Sequence, residues 1–362
     1  MKFILFDIIG MKSGCKYYDV AFYKQLLNHG FAAEIHSNFS IDESKPAIIN
    51  IYEGTKISKI LNLIKLFPQF IGDVISNRNN RFVYLTYGEI VDCILIFILI
   101  LLHPKPILDV HEFISLDKKN NRLYCLFFKF LYRHIYAVIY HSQRSENYLE
   151  KINYSGKRLY VPHFKYEFPQ NYKLENLSNE IIHSYHPNKI NILFFGHMRK
   201  SKGINVVLDS INNTTQDILH KLHFIFAGDD SHGIVMNKMQ DITSKASVFT
   251  ILRFIKDEEL NFLFKKADLI LLPYEEVSQS GILETAVYFR KPMVLSDITY
   301  FSNFTSQFPS FAYLIRQNDS FMLSNIYNEI YKNGVKHYKE NEIEKFYEKE
   351  KYDIFFNNLN LL

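Results

Sequence analysis

Two short segments in the second half of the chain carry residues that could manage a charged leaving group. The first reads Phe194-Phe195-Gly196-His197-Met198-Arg199-Lys200-Ser201-Lys202-Gly203-Ile204. An apolar run ends at Gly196, a basic loop follows, and helical spacing starts after Gly203. Glycines permit tight turns and close backbone approach, and a helix N-terminus attracts an anion. Arg199 offers a planar fork for phosphate oxygens and Lys202 a point charge. A diphosphate leaving group needs this kind of neutralisation. Taken alone, the segment reads equally well as a solvated basic loop.

The second segment runs from Ala267-Asp268-Leu269-Ile270-Leu271-Leu272-Pro273 through Tyr274-Glu275-Glu276 to Gln279-Ser280-Gly281-Ile282-Leu283-Glu284. A buried strand stops at Pro273, and an acidic loop leads into a helix. Backbone amides near Gln279, Ser280, Gly281 and Ile282 could hold phosphate or sugar oxygens. Glu284, one turn into that helix, could accept from two ribose hydroxyls. A lone glutamate at such a place is more often a surface carboxylate. Asp229-Asp230 reads as a strand-end acidic pair and not as a metal site.

Both segments need strands to carry them. In the first half Lys2–Ile9, Ala47–Tyr52, Phe82–Tyr87, Pro106–Val110, Ala137–His141 and Arg158–Val161 read as short buried strands, with a helix over Tyr17–Asn28. Residues 166–189 are polar, carry Pro169 and Pro187, and read as a linker. The pattern restarts with strands at Ile190–Phe195, His223–Ala227, Val248–Leu252, Leu269–Leu272 and Met293–Leu295. Helices are expected at Gly203–Ile211, after a cap at Asp257, and over Ile282–Phe289. The tail Ile343–Leu362 reads as one charged, aromatic helix. The alternation predicts two doubly wound α/β domains, 1–165 (joined by a C-terminal helix over 345–362) and 190–344, with ligands at the carboxyl ends of the strands.

Taken in order, these segments resemble the retaining glycosyltransferases of family 4, the glycosyl transferases group 1. That family carries a G-x-x-R-x-x-K-G loop, matched by Gly196, Arg199, Lys202 and Gly203. It carries two glutamates with seven residues between them, matched by Glu276 and Glu284, ahead of a strand like Lys291-Pro292-Met293-Val294-Leu295-Ser296-Asp297. Phe226-Ala227-Gly228-Asp229 resembles a strand-end G-D, and Leu252-Arg253-Phe254 resembles a G-F segment with Arg253 in the glycine's place. Asp109-Val110-His111-Glu112, His141-Ser142 and Val161-Pro162-His163 are similar to landmarks of the first domain. Two departures stand out: Gln279 where the family has glycine, with Gly281 two residues later, and Arg290 where it has the glycine before Lys-Pro.

The resemblance implies a GT-B fold, two Rossmann-like domains facing a central cleft, the first binding acceptor and the second a nucleotide-sugar donor. It implies Arg199, Lys202, His111 and Glu276 as catalytic residues, with Glu275 able to replace Glu276. His111 would contact the transferred sugar or its phosphate; read from the sequence alone it is a strand-end structural histidine. Gly196, Gly203, Gln279, Ser280, Gly281, Ile282 and Glu284 would bind donor. The loop Gly10-Met11-Lys12-Ser13-Gly14 stands where the family often has Gly-Gly, so Lys12, Ser13 and Gly14 would approach donor phosphates or acceptor. Configuration would be retained through front-face attack, without a protein nucleophile and without a metal or other cofactor.

Composition sets limits. The chain has 362 residues, enough for two cores. Cys15, Cys93 and Cys125 form no C-x2-C pair, which fits a reducing compartment, and the N-terminus reads directly into a strand. The apolar run Ile90–Leu102 is shorter than a spanning helix and reads as a buried helix. Residues 1–163 hold 20 Lys/Arg against 14 Asp/Glu, and the rest hold 22 against 24. That basic front half can attract anionic lipid or a diphosphate-bearing acceptor, but it lacks a nucleic-acid motif. In a helix expected over Lys118–Ile135, Lys118, Arg122, Lys129 and Arg133 share one face. The stripe fits docking on an anionic membrane, or a core helix with a solvated basic side.

The resulting expectation is a cytoplasmic transferase, peripheral on the inner face of the cell membrane if it docks there. It passes sugar from a nucleotide-diphosphate sugar to a surface polysaccharide or lipid-linked glycan. The rival class is a non-catalytic GT-B protein that binds nucleotide sugar or glycan, motivated by Gln279 and Arg290. A dinucleotide oxidoreductase is disfavoured, because no G-x-G-x-x-G follows the first strand.

Overall fold

The computed structural model describes residues 2–11, 15–41, 46–114, 120–168, 175, 177–277, 279–347 and 349–362. Strands β1 (Lys2–Asp7), β2 (Ala32–Ser37), β3 (Arg81–Thr86), β4 (Ile107–Val110), β5 (Ala137–Tyr140) and β6 (Lys157–Tyr160) form one parallel sheet in the order β2-β1-β3-β4-β5-β6. Strands β7 (Ile190–Phe195), β8 (Leu222–Ala227), β9 (Ser247–Ile251), β10 (Leu269–Leu272), β11 (Met293–Ser296) and β12 (Ala312–Ile315) form a second, ordered β12-β11-β10-β7-β8-β9. The chain divides into two compact units, Met1–Tyr166 with Glu348–Leu362, and Glu167–Tyr347.

Parallel strands of this kind are buried on both faces, so they read as continuous apolar runs. In the first unit Ile4 and Phe6 face a core closed by helices Lys56–Ser76, Ile90–Leu102, Arg122–Tyr132 and Gln143–Lys151. Phe3, of the opposite parity, meets Phe31 with ring centroids 5.2 Å apart, and Phe31 meets Phe356 of the last helix, Glu350–Asn360. In the second unit Ile192 and Phe194 share a core with Ile204, Val207, Leu208 and Ile211. Those four lie on helix Ile204–Asn212, where a helix over Gly203–Ile211 was expected. Strand order reverses between β1 and β3, and again between β7 and β10. At such switch points adjacent loops diverge and leave a crevice for ligand.

Several expectations need correction. Ala47–Tyr52 is a turn, not a strand, and the second strand is Ala32–Ser37. Ile48 and Ile51 are buried, but the segment makes no strand ladder: Ile48 N–H donates to the Ser37 carbonyl at the end of β2, and Tyr52 N–H to Asn50 Oδ1. A buried apolar pair three apart imitates a strand without making a ladder. Strand β12 was not anticipated. The tail forms two helices, Glu340–Phe346 and Glu350–Asn360, because the chain passes from the second unit to the first between them. Asp257 is the first residue of its helix; Lys256 caps it, with Glu259 bonding back to the Lys256 amide.

The stretch read as a linker, 166–189, carries helix Asn179–His183 with Ile181 buried, and it belongs to the second unit from Glu167 onward. Arg253 binds it down, its guanidinium reaching Glu180 at 2.9 Å and Glu259 at 2.7 Å. An arginine in place of the family glycine therefore acts here as a strut. Among the described residues no helix is long and apolar enough to cross a membrane.

Candidate functional site

The reversal between β7 and β10 brings the two sequence-predicted segments together. Behind β7 the chain turns at Gly196, φ +110°, and Gly228 packs against it: a side-chain carbon on Gly228 would lie 1.9 Å from the Gly196 carbonyl oxygen. Met198 N–H donates to the Asp229 carbonyl, 2.8 Å, and His197 Nδ1 lies 3.1 Å from Asp229 Oδ2. Lys200–Lys202 form a single 3-10 turn that closes on Gly203, φ +72°. A side-chain carbon on Gly203 would lie 1.8 Å from the Pro273 carbonyl oxygen, so only glycine lets this loop touch the end of β10.

The second segment is tied to the first. Glu275 N–H donates to the Ser201 carbonyl at 2.9 Å, and Gln317 donates to the Glu275 carbonyl. The Lys202 ammonium sits 4.0 Å from the centre of the buried Tyr274 ring, a cation–π contact. Ser296 Oγ holds the Tyr274 carbonyl from the β11 side. Arg199 is exposed at the loop tip, with its own amide bonded to the His197 carbonyl, 3.0 Å. Burial, with Arg199 next, pulls the His197 imidazole below its ordinary range.

Helix Gly281–Tyr288 starts at a Ser280 cap, whose Oγ accepts from Leu283 N–H at 3.2 Å. Its first amides, Gly281 and Ile282, have no partner within the helix by construction, which makes this end a donor site. Gln279 and Glu276 are half-buried on the approach. Glu284 is 5% exposed, yet its Oε2 has no hydrogen-bond partner. Burial pushes its carboxyl well above the usual carboxylate range. A buried acceptor left unsatisfied costs about 1–3 kcal/mol unless a ligand completes it. Arg290, in the place of the family glycine, adopts φ +54°, which explains why glycine is the ordinary choice there.

The first unit has its own polar cluster at the carboxyl ends of β1, β3, β4 and β5. Asp109 accepts from Tyr18 O–H and from His141 Nε2, both at 2.7 Å, while His141 Nδ1 lies 2.9 Å from the Val161 carbonyl. His111 follows β4, half-buried, its ring stacked on Tyr87 at 4.9 Å and meeting the Tyr18 edge at 4.5 Å. Asp109, His111 and His141 have ligand atoms within 4.8 Å of one another, but Asp109 already serves Tyr18 and His141. Tyr18, Asp109 and His141 therefore form a hydrogen-bonded frame beside His111.

Beneath it, Asp7 accepts from the Ile9 and Gly10 amides, each at 2.8 Å. Burial raises Asp7 to about 6 and, together with the Asp7 charge, raises its neighbour Asp19 well above the carboxylate range. The expected phosphate or acceptor residues Lys12, Ser13 and Gly14 lie outside the described residues; the loop enters them from Met11, whose amide donates to Asn38 Oδ1 at 2.9 Å. Sequence reasoning missed Tyr18, Tyr87, Asp19 and Tyr274. Asp7 was missed as well, because the first strand was expected to run on to Ile9 and ends at Asp7. The others come from helix faces and loops that spacing alone does not aim.

Residues 189–331 match the model of the family described as Glycosyl transferases group 1. No curated protein sequence matches the chain. Among solved structures, the chain is similar to a sucrose-phosphate synthase from Thermosynechococcus elongatus, with TM-score 0.69, 12% identity, and coverage of 99% of this chain and 98% of the other. It is similar to HepE from Anabaena in complex with UDP-glucose, at TM-score 0.65, 14% identity and complete coverage of both chains. An alpha,alpha-trehalose-phosphate synthase (UDP-forming) from Burkholderia xenovorans, in complex with glucose-6-phosphate, gives 0.62 at 8% identity, covering 99% and 100%. Two doubly wound units with paired loops at the second switch point define a GT-B protein. Within that class the similarity to the glycosyl transferases group 1 falls on the unit that carries Gly196–Gly203 and Glu276–Glu284.

Proposed function

We propose that the chain moves a sugar from a nucleotide-diphosphate sugar to a hydroxyl of a surface polysaccharide or lipid-linked glycan, with retention of anomeric configuration. One observation carries this reading. The basic loop Arg199–Gly203 is locked to the end of β10, and a buried carboxylate with an unfilled acceptor oxygen, Glu284, stands one turn into the next helix. Phosphate charge and ribose hydroxyls are the two features of a nucleotide-diphosphate donor that such a pair would recognise. HepE, which shares the fold, has been solved with UDP and UDP-glucose, so uridine donors are the first to test.

In the proposed step the bond from the anomeric carbon to the diphosphate oxygen breaks, and both electrons leave with the diphosphate. Arg199, Lys202 and the amides of Gly281 and Ile282 stabilise that growing charge. The acceptor hydroxyl attacks the same face and gives its proton to the departing phosphate oxygen. Glu284 accepts from the ribose hydroxyls, and Gln279 and Ser280 line the approach. Glu276 positions the sugar, and His111, fixed by Tyr18 and Tyr87, contacts the sugar or its phosphate. Lys12, Ser13 and Gly14 are assigned to donor phosphates or acceptor. The two cations carry the role that a metal would otherwise fill, in keeping with the metal independence typical of GT-B enzymes. The place of action is the cytoplasm, at the inner face of the cell membrane if the chain docks there.

The test is a transfer and hydrolysis assay across UDP-, GDP- and ADP-sugars. Turnover with one donor, lost in both Arg199→Ala and Lys202→Ala, is expected. Donor binding without turnover in the presence of glycan and lipid-linked acceptors would favour a non-catalytic binder, the role the Gln279 and Arg290 departures suggest.

A further inference from the structure

Helices Lys56–Ser76, Ile90–Leu102 and Arg122–Tyr132 lie side by side over one face of the first sheet. Each buries a stripe against it, such as Leu66, Phe70 and Val74 on the first. Each also carries a second apolar stripe turned to solvent. On the first it is Ile57, Ile60, Leu61 and Ile64; on the second Ile90, Ile94, Phe97 and Leu101; on the third Leu123, Leu126, Phe127 and Phe130. These twelve side chains are 42–79% exposed and make up half of the 24 large apolar side chains exposed among the described residues. Their spacing of three and four residues is that of a helix face. A surface helix needs one apolar stripe to fold, so a second one, repeated on three neighbours, marks a contact surface.

The exposed charges within these helices are all basic. Lys56, Lys59, Lys65, Arg122 and Arg133 are exposed on or directly after the first and third helices. The acids within the helices are turned away: Asp73 bonds His36 at 3.0 Å, and Asp92 is buried under Tyr84, Thr86 and the Tyr87 amide. Exposed Glu53 and Glu89 precede the first two helices. The basic stripe expected on the third helix thus borders an apolar face, not a merely solvated one; Lys118 lies outside the described residues.

We propose that this three-helix face docks on an anionic lipid surface. The apolar stripes enter the boundary between headgroups and acyl chains, and the flanking lysines and arginines meet lipid phosphates. A second copy of the chain fits less well, because like faces would set lysine against lysine. Since no described helix can span a bilayer, the first unit lies on the surface and does not cross it. The surface is independent of the chemistry proposed for the second unit.

Co-sedimentation of the full chain with phosphatidylglycerol vesicles and with phosphatidylcholine vesicles tests it. Binding to phosphatidylglycerol is expected to be at least about tenfold stronger, weakened by salt without being abolished. Ile60→Asp, Phe97→Asp and Phe130→Asp together should cut that binding at least about tenfold at an unchanged melting temperature. Phe321→Asp, exposed on the second unit, should not alter it. If the triple variant fails to fold, Lys59→Glu with Arg122→Glu must still weaken binding. The proposal is overturned if the native chain stays in the supernatant with phosphatidylglycerol, or if either folded variant pellets like the native chain. A lipid-free dimer in sedimentation velocity that the triple variant splits would assign the face to a second copy instead.

Discussion

Glu284 is where local energetics and proposed function pull apart. Its carboxyl is buried and its Oε2 unfilled, which disfavours the ionised form in the free protein. With a folded pKa above the unfolded value, the folded state binds more protons between the two, so stability falls as pH rises above the usual glutamate range. Glu284→Gln removes that penalty. Its melting temperature is expected to exceed that of the native chain near neutral pH, by a margin that narrows as pH falls toward the unfolded pKa of 4.5. Calorimetric melts across pH check this, and a margin independent of pH contradicts it. The same variant should bind nucleotide more weakly, since an amide is a poorer acceptor for two hydroxyls. Arg199→Ala and Lys202→Ala are expected to lower kcat by roughly 10²–10³, the usual range for losing one donor to a developing oxyanion. Steady-state kinetics on whichever donor turns over checks that magnitude.

The paired loops are held at the level of elements by backbone contact. Gly203→Ala places a methyl within 1.8 Å of the Pro273 carbonyl at φ +72°. The loop must move, so a loss of roughly 2–4 kcal/mol of stability is expected, together with loss of nucleotide binding. Denaturant melts and a nucleotide titration read both. Arg290→Gly acts in the opposite sense, because φ +54° strains an arginine and costs glycine nothing. It is expected to be neutral or stabilising by up to about 1 kcal/mol, while its one ion pair, with Glu340, is exposed. The second switch point was legible because one short loop, Gly196–Gly203, spells out turn, charge and helix start in sequence. So were the buried strands β7 and β10, whose apolar runs end at a glycine and a proline. Ala32–Ser37 was not, since an edge strand with Glu34 and His36 lacks an apolar run. Nor was Arg253, whose partners Glu180 and Glu259 are far apart in sequence and meet only after folding. The frame of Tyr18, Asp109 and His141 is hidden for the same reason, although each strand-end residue was visible singly.

Over the whole molecule, the last helix closes a core to which the chain returns at its very end. Phe355, Phe356 and Leu359 are buried, with Phe355 on Phe22 and Phe356 stacked on His29 at 3.9 Å. Ending the chain at Tyr347 should cost the first unit on the order of 5 kcal/mol, enough to leave it without a cooperative melt. Calorimetry of the truncated chain would show one transition fewer. The loops at the second switch point are proposed to form a nucleotide-diphosphate-sugar site. Isothermal titration of the full chain with UDP-, GDP- and ADP-sugars tests it most directly. One of these donors is predicted to bind one to one, with affinity lowered at least about tenfold in Lys202→Ala and in Glu284→Gln. Absence of binding to every donor, or binding that both variants leave unchanged, would contradict the account.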